Sequence, residues 1–191
     1  MRIVAGVLRG RPIVAPRGQV TRPTADRTRQ AIFNILEHAS WASGLEGLRV
    51  IDLFAGAGAL GLEALSRGAA FCLFVEADAA ARGAIQSNIE SLDQFGRARV
   101  HRRDATALGA RPGPDGAPFD LAFLDPPYGK GLGAAAMASL AAGGWLAPGA
   151  LAVHERGDED AAPSVPGFEP IDERAWGAAR VDFLRWSPTA S

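Results

Sequence analysis

Cysteine occurs once in the 191 residues, as Cys72 inside the apolar run Phe71-Cys-Leu-Phe-Val75. A lone thiol excludes an internal disulfide and a cysteine-based metal cluster within one chain, and its apolar neighbours mark it as a core side chain rather than a nucleophile. Histidine is almost as scarce: His38, His101 and His154 are scattered without ligand spacing, so no metal is expected. No apolar stretch approaches the roughly 20 residues that cross a bilayer. Residues 1–15 alternate arginine with apolar residues instead of forming a signal peptide. A cytoplasmic protein with no membrane partner is the expectation. Lysine is nearly missing, Lys130 being the one lysine among 20 basic residues. In a chain so rich in alanine and glycine, GC-rich coding accounts for that bias as readily as function does. No internal repeat is visible.

What is present begins with a hidden asymmetry. The length and a 48% apolar composition suit one compact domain with an appendage, and a monomer is expected. The net charge is −1, yet residues 1–30 hold seven arginines (2, 9, 11, 17, 22, 27, 29) against one acid, Asp26, a segment charge of +6. The remaining 161 residues therefore carry −7. Such segregation implies a basic arm for a polyanion on a neutral to acidic body. A solvated terminus that binds nothing is the bland alternative, but these arginines are interleaved with apolar residues and glycine turns that look structured.

Residues 1–16 read as two short strands joined at Arg9-Gly10-Arg11, a small β-hairpin. Thr21-Arg-Pro-Thr-Ala-Asp-Arg-Thr-Arg29 leads into a helix. Thr24 is its expected N-cap, Asp26 suits the positive end of the dipole, and Ile32, Ile35, Leu36 and Ala39 mark an apolar face. Arg22, Arg27 and Arg29 gather at the helix start, which suits a phosphate or carboxylate, or equally a capped helix with surface ion pairs. From Leu48 strand and helix patterns alternate, the signature of an α/β fold with a mostly parallel sheet covered on both faces. Strands are expected at 48–53, 71–75, 99–104, 119–125 and about 150–155, and helices at about 59–67, 78–93 and 132–142. Residues 158–166 read as a loop, and residues 168–174 and 179–186, flanking Trp176-Gly177, as a terminal antiparallel hairpin. The chain thus divides into an arm (1–45), a body (46–187) and a frayed tail (188–191).

The body is organised around Val50-Ile-Asp-Leu-Phe-Ala-Gly-Ala-Gly-Ala-Leu-Gly61, a strand, a tight turn and a helix start. Gly56, Gly58 and Gly61 remove Cβ where backbone must turn sharply and approach a ligand, and a helix N-terminus aims amides at the same spot. As a bare pattern, Gly56-x-Gly58-x-x-Gly61 with Glu76 twenty residues past Gly56 also matches a dinucleotide site, so a nicotinamide oxidoreductase is a live alternative. Asp52, Glu76, Asp104 and Asp125 all fall at carboxyl ends of expected strands, where open α/β sheets bind ligands.

Asp125-Pro-Pro-Tyr128 directly follows an apolar strand and is far more specific than the glycines. Two consecutive prolines force the backbone out of the sheet and turn carbonyls that cannot pair there toward the cleft. Asp125 and the Pro126 carbonyl become acceptors for an exocyclic amine, and Tyr128 offers a flat face for a base. An aromatic amine is a poor nucleophile because its lone pair is delocalised. Acceptors on its protons favour a pyramidal nitrogen and aim the lone pair at an electrophilic methyl. The nicotinamide reading leaves this tetrapeptide unexplained.

Asp52-Leu-Phe-Ala-Gly-Ala-Gly58 with Asp125-Pro-Pro-Tyr128 resembles the class I amino-methyltransferases, a Rossmann-like fold whose mostly parallel sheet is closed by a C-terminal antiparallel hairpin. The arm motifs Arg2-Ile-Val-Ala-Gly6, Arg9-Gly-Arg11, Thr21-Arg-Pro-Thr-Ala-Asp-Arg27 and Phe33-Asn-Ile-Leu36, and the stretch Gly58-Ala-Leu-Gly-Leu-Glu-Ala-Leu-Ser-Arg67, resemble the bacterial 16S rRNA guanine-N2 methyltransferases of the RsmD type. That resemblance implies S-adenosylmethionine as cofactor and S-adenosylhomocysteine as product. Asp52, Ala55, Gly56, Ala57, Gly58 and Gly61 would hold the methionine end, Glu76 and Ala77 the ribose, and Asp104 and Ala105 the adenine. Asp125, Pro126, Pro127 and Tyr128 would hold the guanine N2. Arg9, Arg11, Arg22, Arg27 and Arg29 would meet rRNA phosphates, and the substrate would be a partly assembled small ribosomal subunit. Two rivals stand beside it: an amino-methyltransferase acting on adenine N6 or cytosine N4, and a non-catalytic RNA-binding assembly factor. A non-catalytic binder has no need of both an intact glycine turn and intact acceptors.

Overall fold

The computed structural model describes residues 1–16, 23–112 and 116–188. Helix α1 (Pro23–His38) precedes an alternating run: β1 (Arg49–Leu53), α2 (Ala59–Ser66), β2 (Phe71–Val75), α3 (Ala79–Ser91), β3 (Ala98–His101), a 3-10 turn (Ala105–Ala107), β4 (Phe119–Leu124) and α4 (Leu132–Ala142). Three longer strands follow, β5 (Leu146–Gly157), β6 (Phe168–Trp176) and β7 (Ala179–Trp186). All seven form one sheet in the order β3-β2-β1-β4-β5-β7-β6. The first five in that order are parallel, and β7 lies antiparallel between β5 and β6. Strand order reverses between β1 and β4, and at such a switch point the carboxyl ends of the strands part into a crevice.

The short apolar strands β1 and β2 are buried beyond their first residues, as strands covered on both faces must be. Alternate side chains feed two cores. One, under the arm, α1, α2 and α3, gathers Ile3, Ile13, Phe33, Leu62, Phe74 and Phe123. The other, under α4 and the 3-10 turn, gathers Ile51, Leu53, Leu73, Met137, Leu140 and Trp145. The arm therefore shares its core with the body. Cys72 is buried there as a packing residue. α2 lies so close to β2 that a Cβ on Gly61 would stand 2.4 Å from Phe74 Cε1 and 2.5 Å from Cys72 Sγ, which only glycine avoids.

The sequence expectations hold for the alternating order and the terminal hairpin and shift at several ends. The N-terminal hairpin is a single antiparallel bridge, Arg2 with Pro12, supported by Ile3 N–H to Arg11 O (3.0 Å) and Gly10 N–H to Ile3 O (2.9 Å), not two regular strands. Its middle instead turns into the body, where Val4 and Ala5 donate to Glu63. α1 already runs from Pro23, so Thr24 lies in its first turn and is not the N-cap; proline suits a first helical position. β3 ends at His101, three residues before Asp104, while β5 extends from 146 to 157. α3 begins after Asp78, whose side chain caps it by accepting from Ala81 N–H at 2.8 Å. Among the described residues no helix is long and apolar enough to cross a membrane.

Candidate active site

The β1–α2 turn places backbone at the crevice. Phe54, Gly56 and Gly58 have φ of 57°, 56° and 80°. Phe54 is a bulky residue in the left-handed region, strain of the kind that functional turns hold. Ala55 and Ala57 are buried between them. Asp52 is 1% exposed, and its Oδ2 accepts the Gly61 N–H at 2.9 Å. Burial pushes the Asp52 pKa well up; the Gly61 bond opposes this, and the Asp125 and Glu76 carboxylates nearby add to it. Glu76, just past β2, accepts from Gly56 N–H at 2.9 Å and from Asp78 N–H at 2.8 Å, and each of its oxygens keeps an acceptor position to spare. Ala77 beside it is exposed.

Asp125, the first residue beyond β4, is exposed as a whole residue, although protein crowds its carboxyl group. Burial, and then the Glu155 carboxylate, raise its pKa to about 7. Pro126 is buried and Pro127 exposed as the chain leaves the sheet. Tyr128 is 46% exposed, and its hydroxyl donates to Glu155 Oε1. The ring rests on Gly157, where a Cβ would stand 3.2 Å from Tyr128 Cδ2. A pocket beside this segment is lined by Pro126, Tyr128, Gly131, His154, Glu155 and Ser164. The strand carrying Glu155 is held by a buried network in which Asp182 accepts from Arg156 Nε at 2.9 Å and faces His154 Nδ1 at 3.1 Å.

The structure brings Asp52, Glu76 and Asp125 together and leaves Asp104 outside that group. Asp104 lies beyond the end of β3, exposed, and caps the 3-10 turn by accepting from Thr106 N–H (2.8 Å) and Thr106 Oγ1 (2.7 Å). Those two bonds hold its carboxyl below the usual range. Ala105 behind it is buried. Among the described residues no three His, Cys, Asp or Glu side chains come together as a metal-holding group.

The arm arginines divide. Arg9, Arg11 and Arg27 are exposed, Arg11 donating through Nη2 to the Ser91 carbonyl. Arg22 lies outside the described residues. Arg29 does not fit the phosphate contact expected of it: it is 4% exposed, its Nη2 donates to Arg2 O at 2.6 Å, and it pairs with Asp26 at 3.1 Å. Arg29 also lies 3.8 Å from Glu63, and Arg67 pairs with Glu37 at 2.8 Å, so α1 and α2 run the same way. The start of α1 is thereby brought to the same edge of the sheet as the acids.

Two further residues belong to this region, and only the first carries a mark in the sequence pattern. Glu155 sits level with Asp125, one step beyond the paired Leu124 and His154. The available signal is an acid ending the apolar stretch Leu151-Ala-Val-His, the same cue that exposes the other strand-end acids. Asn88, 0% exposed, ties the arm to the glycine turn by donating to Val14 O (2.9 Å) and Ala57 O (3.0 Å) and accepting from Val14 N–H (2.8 Å). A lone asparagine in an amphipathic helix gives no such signal.

A family model described as "Conserved hypothetical protein 95" matches residues 1–185. "Ribosomal RNA small subunit methyltransferase D" of Escherichia coli K12 is 39% identical over 166 residues, spanning 87% of this chain and 79% of that protein. The protein of the same name from Haemophilus influenzae is 33% identical over 79% of this chain and 76% of its own length. The solved structure of the E. coli protein yhhF superposes with a TM-score of 0.82 at 34% identity, covering 99% of both chains. Magnesium protoporphyrin IX methyltransferase from Synechocystis with bound SAM, at 16% identity, a TM-score of 0.65 and coverage of 89% of this chain and 86% of its own, is similar in fold alone. With the glycine turn and the arm in one core and the Asp125-Pro-Pro-Tyr128 exit following β4, the chain belongs to this family, the RsmD type of class I methyltransferase.

Proposed function

We propose that this protein transfers a methyl group from S-adenosylmethionine to the exocyclic N2 of a guanine in 16S rRNA on a partly assembled small ribosomal subunit, releasing S-adenosylhomocysteine. In this reading it is a cytoplasmic monomer, with residues 1–45 as the RNA-contacting arm and 46–187 as the catalytic body. The observation that carries it is Asp125-Pro-Pro-Tyr128 leaving β4 at the switch point, beside the glycine turn and within hydrogen-bonding company of Glu155.

The residues present fit the cofactor. Gly56 and Gly58 keep the turn free of side chains, and a Cβ at Gly58 would press to 3.2 Å from the Phe74 ring. Glu76 retains acceptor positions for a ribose diol, and Asp52 is a buried carboxylate whose raised pKa an adjacent ammonium would reverse. When bound, S-adenosylmethionine supplies an electrophilic methyl on a sulfonium. Asp125 and the Pro126 carbonyl would hold the N2 protons, and Tyr128 would fix the base plane. In that transfer the N–C bond would form as the C–S bond breaks, leaving a neutral thioether, and Asp125 would be the group that takes the proton N2 sheds. A guanine in structured RNA must leave its stack to reach this cleft.

The test is methyl transfer from labelled S-adenosylmethionine to small subunits and to naked 16S rRNA from cells lacking the enzyme, followed by nucleoside analysis and mapping. N2-methylguanosine is expected. Label in adenosine or cytidine would keep the chemistry and overturn the base, and absence of label with cofactor binding intact would overturn the reading.

A further inference from the structure

Two carboxylates leave adjacent parallel strands at the same level of the crevice. Leu124 of β4 pairs with His154 of β5 in register, so Asp125 and Glu155 are the next residues on each. Side chains alternate along a strand, so both acids return to the face on which Phe123 and Val153 enter the arm-side core. Their closeness is felt electrostatically, since Glu155 is the charge that helps to raise Asp125. One Glu155 oxygen is fixed by the Tyr128 hydroxyl, and the other has no hydrogen bond among the described residues. Neither acid takes part in an ion pair among the described residues. The pair thus offers acceptors beside the Tyr128 hydroxyl, and that hydroxyl is the one side-chain donor the described residues supply to it.

That arrangement matches one base edge. Guanine presents its N2 amine beside an N1–H, donors in a row. Adenine presents its N6 amine beside the N1 lone pair, and cytosine its N4 amine beside the N3 lone pair. A carboxylate facing a ring lone pair leaves two acceptors opposed and desolvated, which discriminates more strongly than a difference in apolar packing. We infer that Glu155 is a specificity-determining residue: its free carboxylate oxygen accepts the guanine N1–H while Asp125 accepts from N2, so the cleft takes guanine and turns away adenine and cytosine. This rests on the reading above that a base amine is methylated at Asp125, and it adds the residue that selects the base.

The experiment replaces the mapped guanine of 16S rRNA, by splinted ligation and reconstitution into subunits, with 2-aminopurine, which keeps the N2 amine but has a lone pair at N1. Wild-type kcat/KM should be roughly tenfold to a hundredfold higher for guanine. Glu155→Gln keeps the shape and an acceptor for Tyr128 while supplying an amide N–H that can meet the N1 lone pair. It should lower kcat/KM for guanine by a similar factor and bring the guanine to 2-aminopurine ratio close to one, with S-adenosylmethionine affinity unchanged. A residue that only holds Tyr128 would lower both substrates in proportion and leave the ratio intact; that result would overturn the inference. Equal use of both substrates by the wild-type enzyme would overturn it too, whether or not the variant folds. The guanine arm tests the underlying reading separately: no N2-methylguanosine there would sink that reading, and the inference with it.

Discussion

In α2 the Glu63 carboxylate is 0% exposed and is surrounded by donors: Val4 N–H (2.8 Å), Ala5 N–H (2.9 Å) and Arg67 Nε (2.8 Å), with Arg29 Nε at 3.8 Å. At the carboxyl edge of the sheet, Asp52, Glu76, Asp125 and Glu155 share a crevice, and among the described residues none of them forms an ion pair. The same functional group is used in two ways. Where cations and amides match it inside the protein, it fastens the arm to the body. Where like charges are gathered and left unmatched, folding gains nothing, and the arrangement makes sense as a receptor for donors and cations brought by ligands.

Glu63→Ala is the harshest test of that contrast. It removes the buried carboxylate that Arg29 and Arg67 share, leaving them only the more exposed Asp26 and Glu37, and strips acceptors from two backbone amides, so unfolding free energy should fall by about 3–5 kcal/mol, read from the denaturant midpoint. A midpoint equal to wild type would show that the arm is not anchored there. In the crevice the order of effects inverts. Asp125→Ala should cost about 10²–10³ in turnover while calorimetric affinity for S-adenosylmethionine stays near wild type and the fold is not weakened. Substantial retained turnover would remove Asp125 from the chemistry.

The same contrast runs through the arginines. Arg9, Arg11 and Arg27 changed together to alanine should weaken RNA binding and flatten its salt dependence, by about 0.7–0.9 in the log–log slope for each phosphate no longer neutralised. Arg29→Ala should instead lower the unfolding midpoint and leave the slope alone. An unchanged slope in the triple variant would take the arm out of the interface.

The smallest effect is one of pH. The Asp125 carboxyl sits at about 7 in the folded protein, above the ~3.9 of an unfolded chain. The folded state therefore binds the proton more tightly, and stability rises as pH falls from about 7 toward about 4. Asp125→Asn removes the charge at every pH. It should be more stable than wild type at pH 8, with the advantage disappearing by about pH 4; an advantage independent of pH would mean that the carboxylate is not electrostatically strained.

Much of the site is legible in the sequence because its parts are local. Gly56 and Gly58 adopt positive φ, and the double proline ends β4 where an acid, two fixed φ angles and a ring follow an apolar run. Asp104 is harder to place because the basic residues after His101 extend an apparent strand pattern, whereas the backbone turns at Asp104 to form its own side-chain-capped turn. Arg27 and Arg29 look alike as members of a basic arm, yet one faces solvent and the other lies under Arg2.

By itself the sequence determined the order of strands and helices, the tight turn, the amine-holding exit from β4 and the resemblance to one methyltransferase type, since backbone sterics and hydrophobic period act between near neighbours. The tertiary structure alone decided which charges are matched within the protein and which are free. Val4 meets Glu63 across 59 positions and Val14 meets Asn88 across 74, and Glu155 reaches Asp125 only because β4 and β5 pair in register. Contacts of that range follow from how two faces of a sheet are covered, and burial then fixes whether a carboxylate or a guanidinium is left for a partner.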